Sequence, residues 1–266
     1  MMGITEILGY VGALIIGVVL GLIGGGGSIL TVPVLVYLLS VSPVTATAYS
    51  LFVVGATSLF GSVKNFQKKR VDLKTALVFS IPAFIAVYLT RKYLVPAIPE
   101  TIISIGDLTI TKNIGIMLFF ALIMVMASVS MILEPSEKDA KPKRVRYNYL
   151  FITLEGAVVG VLTGIVGAGG GFLIIPALVL MAKLPMKKAV ATSLVIIAVK
   201  SLIGFIGDVQ NLEINWGFLL VFTAISIGGI YLGIWLNKFI DGKKLKKGFG
   251  WFVLVMGLYI FWKEIF

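Results

Sequence analysis

The chain contains no cysteine and no histidine. The first absence removes disulfides, thiol chemistry and thiolate metal sites. The second removes the commonest proton shuttle and metal ligand. Charge is also scarce: 13% of residues are Asp, Glu, Lys or Arg, against about 25% in soluble domains. No acidic pair is clustered in an apolar segment, so an intramembrane enzyme has nothing to work with. No cofactor and no metal are expected.

What the chain has instead is apolar length. Hydrophobic residues make up 59% of the 266, and runs at 113–133, 149–166 and 218–236 approach or reach the roughly 20 residues that cross a hydrocarbon core. Only a helix satisfies its own backbone within one such segment. Long runs of Leu, Ile, Val, Ala and Gly exclude a membrane barrel, whose strands alternate over about ten residues. The fold class is therefore an all-α polytopic membrane protein. The N-terminal run lacks a basic start and leads into glycines, so it is expected to remain as a membrane segment. The net charge of +11 is read as basic cytoplasmic loops facing anionic headgroups, not as a nucleic-acid surface.

The sequence repeats itself. Gly17 to Pro33 aligns without a gap on Gly160 to Pro176 at a constant offset of 143, and positions 17–62 carry 17 identities in 46. They include Gly21/Gly164, Gly24/Gly167, Pro33/Pro176, Ser50/Ser193, Ser58/Ser201 and Gly61/Gly204. Shared apolar composition matches Leu with Val, but it does not produce a register of Gly, Pro and Ser. The first repeat is expected at 1–133, a polar cytoplasmic linker at 134–147 and the second repeat at 148–266. Each half divides into five segments, near 4–23, 28–39, 44–63, 74–92 and 113–133, then 148–166, 171–182, 187–206, 216–236 and 248–264. The second of each five has only about 12 residues, roughly 18 Å of helix, and so spans at most part of the bilayer.

Lys and Arg give an orientation, because positive loops stay in the cytoplasm. The loop at 64–74 holds five basic residues and its repeat partner at 207–217 holds none. The ten-segment arrangement places 18 of 23 basic residues inside and four outside, Arg91 among the four, with Lys200 inside a segment. An odd number of segments per half inverts the second copy, so two inverted-topology repeats and outward-facing termini are expected in a cytoplasmic-type cell membrane. Inverted repeats characterise secondary transporters, which bind substrate near the midplane between the halves.

Two glycine clusters stand where a long segment meets a short one: Gly24, Gly25, Gly26 and Gly27 with Ser28, and Gly167, Ala168, Gly169, Gly170 and Gly171. The helix after each would present unpaired N–H groups and a positive dipole end to an anion. The competing reading is tight turns and close helix packing. Neither cluster is a nucleotide motif, since the P-loop lysine and the last glycine of the dinucleotide fingerprint are missing. The third segments carry a polar stripe. Lys200 and Gly204 lie within about 20° of Ser193 around a helix, with Thr192 beside them. Ser50, Thr57 and Gly61 correspond, with Thr47 one turn earlier. Their hydroxyls either donate to an anion or bond back to their own helix.

Lys200 replaces Thr57 of the first half, and a lysine inside a segment is a functional hypothesis by default; snorkelling is the alternative. Glu155 lies about seven residues into its segment and reads as a coupling carboxylate or a snorkelling one; its depth argues against pairing with Lys200. Asn65 and Gln67, matched by Asp208 and Gln210, are coupling, gating or capping candidates. Trp216, Trp235, Trp251 and Trp262 sit near segment ends as interfacial anchors.

At the two Gly-rich motifs ending in Pro33 and Pro176, each followed by Ala46-Thr-Ala-Tyr-Ser50 or Ala189-Val-Ala-Thr-Ser193, the sequence resembles the sulfite exporter TauE/SafE family of membrane permeases. Ala168 and Ser28 depart from an all-glycine run. The resemblance implies transport of small anions, often sulfur-containing, such as sulfite, thiosulfate, sulfonates or related carboxylates. The expected function is a secondary transporter working by alternating access. An anion channel and a membrane subunit of a larger complex are the rival readings. Expected partners are a small anionic substrate and the lipid bilayer, not nucleic acid; a homo-oligomer is left open.

Overall fold

The computed structural model describes residues 4–67, 69–105, 108–133, 149–180, 184–237, 239 and 242–265. The expected linker at 134–147 lies outside the described residues. Helix α1 is Ile4–Ile23, and α2 is a continuous helical segment of mixed geometry, 3₁₀ over Gly25–Leu30, α over Thr31–Pro33 and π over Val34–Leu38. Helix α3 is Pro43–Gln67 and α4 is Leu73–Ala97, with a π turn at Thr90–Leu94. A two-stranded hairpin, β1 Thr101–Ile105 and β2 Leu108–Thr111, precedes α5, Lys112–Leu133. The second half holds α6 (Tyr149–Val166), α7 (Gly171–Leu180), α8 (Met186–Val209), α9 (Trp216–Leu236) and α10 (Gly242–Ile265). The molecule is an all-α polytopic membrane protein. Six of its described helices are long and apolar enough to cross a membrane.

The helices present apolar residues outward because lipid is their solvent. Leu77, Ile81, Ile85 and Leu89 form one exposed row along α4, four residues apart. In water that row would aggregate; against acyl chains it needs no cover. Trp216, Trp235, Trp251 and Trp262 are all exposed. Interhelical faces are instead built from small residues, which let backbones approach closely. Gly17 and Gly21 of α1 lie against Gly229 and Gly233 of α9, and Gly156, Gly160 and Gly164 of α6 lie against Phe79, Ala83 and Thr90 of α4. Residue numbers rise together in both pairs, so each pair is parallel. Helices α3 and α8 pack in the opposite sense: Leu51 meets Gly204, Gly55 meets Leu202 and Gly61 meets Leu194.

Contacts are exchanged between the halves at the offset of 143. Asp72 caps α4 by accepting from Thr75 N at 3.0 Å, and Asn215 caps α9 by accepting from Phe218 N at 3.1 Å. The amide of Asp72 donates to Thr192 Oγ1 of the other half at 3.0 Å, and that of Asn215 donates to Tyr49 Oη at 2.8 Å. Asp72 corresponds to Asn215, and Tyr49 to Thr192. Each helix start is therefore stitched to the third helix of the opposite half, α8 for Asp72 and α3 for Asn215.

These directions also define what the short segments do. Helix α4 runs parallel to α6, and also to α8, where Val87 meets Gly204 and Arg91 meets Gly207. So α6 and α8 are parallel, and α7 returns the chain between them. By the same logic α1 and α3 both run parallel to α9, and α2 returns the chain.

One sequence expectation needs correcting. The segment placed at 74–92 continues as helix to Ala97, so Arg91 is not in an outer loop but buried in the bundle. The π turn carries the helix past the charged pair Arg91-Lys92 without breaking it.

Candidate functional site

The short helices bring the glycine clusters together. A Cβ on Gly25 would overlap Gly171, and a Cβ on Gly171 would overlap Gly25, so the two backbones touch at the centre of the bundle. Gly24, Gly167, Gly169 and Gly170 have φ of 79°, 70°, 63° and 71°. That left-handed backbone is one that only glycine adopts freely, which is why the clusters are glycine-rich. In the second loop Gly170 O accepts from Leu173 N and Ile174 N at 3.0 and 2.9 Å. The amides of Gly171 and Phe172 head α7 with no intrahelical carbonyl to take them.

Polar side chains converge on the second loop. Gly169 packs on Ser28, whose hydroxyl donates to Gly25 O at 2.7 Å. Gly167 packs on Thr47. Lys200 is fully buried and does not snorkel: Nζ donates to Thr163 Oγ1 at 2.5 Å, and a Cβ on Gly170 would lie 2.9 Å from it. Thr163 in turn donates to Val159 O at 2.6 Å, which leaves its oxygen to accept from lysine. Among the described residues no carboxylate lies within ion-pair distance of Lys200.

The hydroxyl stripes divide into engaged and free groups. Thr47 donates to Val44 O at 2.7 Å and Ser193 to Val190 O at 2.9 Å, both back-bonding to their own helix. Thr192 is engaged by the Asp72 amide. Ser50 and Thr57 are buried without a hydrogen-bond partner, as are Ser58, Ser201 and Thr31. Buried hydroxyls are normally paired, and these five have no partner in the protein.

The other candidates are scattered. Glu155 is half-buried on α6, eight residues before Thr163 and so about 12 Å along the helix from it. Asn65 donates from Nδ2 to Gly61 O at 3.2 Å, within its own helix. Gln67 and Gln210 are exposed at the ends of α3 and α8. Asp208 is buried, with Oδ2 3.5 Å from Arg91 Nε, and Arg91 Nη1 donates to Thr47 Oγ1 at 3.0 Å.

Sequence reasoning missed Arg91 and Thr163. Arg91 falls one residue inside the end of its expected segment, where the count of basic residues assigns it to the outer side. The available signal was its place opposite Ile234 at the repeat offset, a charge replacing an apolar residue. Thr163 carried no signal beyond sitting next to Gly164. Two cavities open elsewhere. One of about 280 Å³ is lined by residues including Tyr10, Thr45, Tyr49 and Phe218; an apolar one of about 300 Å³ lies between Tyr88 and Ile203. Neither reaches the glycine centre.

Comparison with known proteins places this architecture. The chain is 28% identical over 257 residues to a "Probable membrane transporter protein" of Xylella fastidiosa (strain 9a5c), covering 94% of this chain and 92% of the relative. It is 28% identical over 276 residues to "Probable membrane transporter protein YunE" of Bacillus subtilis (strain 168), covering 95% and 96%. No solved structure matches significantly. The family model described as "Sulfite exporter TauE/SafE" matches residues 10–260, and the chain belongs to that family of membrane transporters.

Proposed function

We propose that the protein is a secondary transporter of small oxyanions, sulfur-containing ones first, which bind where the two glycine clusters meet. The observation that carries this reading is the backbone contact of Gly25 with Gly171, which sets the starts of both short helices side by side with Lys200 Nζ against the second loop. Helix starts supply N–H groups and positive dipole ends. Lysine adds a full charge on a buried side chain, and Ser50 and Thr57 offer buried hydroxyls with no partner in the protein. Ser50 and Thr57 have no hydrogen-bond partner, so neither hydroxyl is paired with a base that would activate it, which suits a carrier better than an enzyme.

Two inverted repeats would sit in the cell membrane with both termini outside. The antiparallel packing of α3 on α8, equivalent helices of the two halves, supports that arrangement. Movement of one half against the other would expose the site alternately to each side. The touching glycine backbones favour such a carrier over an open pore.

The test is thermal stabilisation of the purified protein by sulfite, thiosulfate, methanesulfonate, small carboxylates and cations. A ligand of the folded state raises apparent stability with its concentration over Kd. One anion class should stabilise the wild type, and Ser50→Ala and Lys200→Met should lose the effect. Stabilisation by cations alone would overturn the reading. Saturable exchange in proteoliposomes separates the carrier from a channel, and activity of the protein reconstituted alone separates it from an obligate subunit.

A further inference from the structure

Arg91 and Asp208 form a second charged device beside the glycine centre. At the repeat offset Arg91 stands opposite Ile234 and Asp208 opposite Asn65, so the pair has no copy in the other half. Both are buried, as is Lys200, which donates to Thr163 and has no carboxylate within ion-pair distance among the described residues. The guanidinium is anchored through Nη1 to Thr47, the residue on which Gly167 packs. Its other edge is nearly idle. Nε and Nη2 make no hydrogen bond, and neither does Asp208 Oδ2, which lies 3.5 Å from Nε. That distance is an attraction without a hydrogen bond. Nε and Nη2 carry the two parallel N–H groups with which arginine grips an oxyanion in a fork. The carboxylate therefore sits on the fork without engaging it.

Resting on the transporter reading above, we propose that Arg91 is the anchor for the substrate's oxyanion and that Asp208 is its resident stand-in, neutralising the guanidinium while the carrier is empty and displaced when substrate arrives. A buried cation left bare is heavily penalised. A carrier built on Arg91 alone would have to stay loaded to change its exposure, and would only exchange one anion for another. The tethered carboxylate lets the empty form cross, so the protein performs net transport. The fork selects ligands that present two oxygens on one face, such as sulfonates, sulfite, thiosulfate or carboxylates, over halides.

The experiment compares net uptake with exchange of radiolabelled thiosulfate and methanesulfonate in proteoliposomes at clamped potential. The wild type should do both. Asp208→Asn should lose net uptake by at least about tenfold, the consequence of an uncompensated buried charge, while exchange falls far less. Arg91→Gln should lose both modes. The double variant, Arg91→Gln with Asp208→Asn, removes both members of the pair together and so strands neither; it should fold and show no thermal response to thiosulfate. A wild type that only exchanges overturns the proposal without any variant. So does equal loss of both modes in Asp208→Asn, or a thiosulfate response surviving in the double variant. A wild type that moves no anion in either mode overturns the transporter reading itself.

Discussion

At Gly170 the backbone holds φ at 71°, and an added methyl would meet Lys200 Nζ at 2.9 Å. Gly170→Ala should therefore destabilise the fold by about 1–3 kcal/mol through strain and overpacking. It should also abolish anion-induced stabilisation by pushing the ammonium off the loop. Melting with and without thiosulfate checks both effects; a full anion response in the variant would remove Gly170 from the site. This residue was legible in the sequence because its cluster recurs in both halves. Lys200 was legible as a charge among apolar neighbours, although its burial against Thr163 was not. Arg91 was misplaced. Near the end of an apolar run, hydropathy gives a loop cation and a buried one the same appearance, and only the π turn that continues α4 decides between them.

At the scale of elements, α1 and α9 show what holds a helix pair together where lipid offers no hydrophobic drive. Ser226 Oγ lies 3.0 Å from Ala13 O across the pair and 3.0 Å from Phe222 O in its own helix. Such a bond contributes little, about 0.6 kcal/mol on average. Gly21, by contrast, lies against the backbone of Ile230, Gly233 and Ile234. Gly21→Val should cost about 3 kcal/mol or more by forcing the helices apart, against well under about 1 kcal/mol for Ser226→Ala. Unfolding in mixed micelles would compare them, and equal effects would show that close packing is not what chiefly holds the pair together. The small-residue pattern of these helices was visible in the sequence. Which helices it joined was not, since Gly17, Gly21, Gly229 and Gly233 announce a close approach without naming the partner.

For the whole molecule, the absence of native cysteine makes the topology directly testable. Arg70 and Glu213 occupy equivalent exposed loops at the repeat offset. If the halves are inverted, Arg70→Cys should react with a membrane-impermeant maleimide only from the cytoplasmic side, and Glu213→Cys only from the opposite side. Labelling of both from one side would exclude inversion. The exchanged caps, Asp72 on Thr192 and Asn215 on Tyr49, also tie the halves to each other at matching points. Any motion between the halves must pivot about these stitches or break them.

The sequence alone determined the membrane class, the duplication and the places where the helices are interrupted. These are local or compositional properties: apolar length answers to bilayer thickness, and a glycine or proline acts on its own backbone. The tertiary structure alone decided that the two glycine clusters touch, that Thr192 is spent on a helix start, and that Arg91 meets Asp208 and Thr47. Each of those is a contact between segments far apart in the chain. Its geometry depends on helix directions and on the closeness that small residues permit, quantities that no single segment encodes.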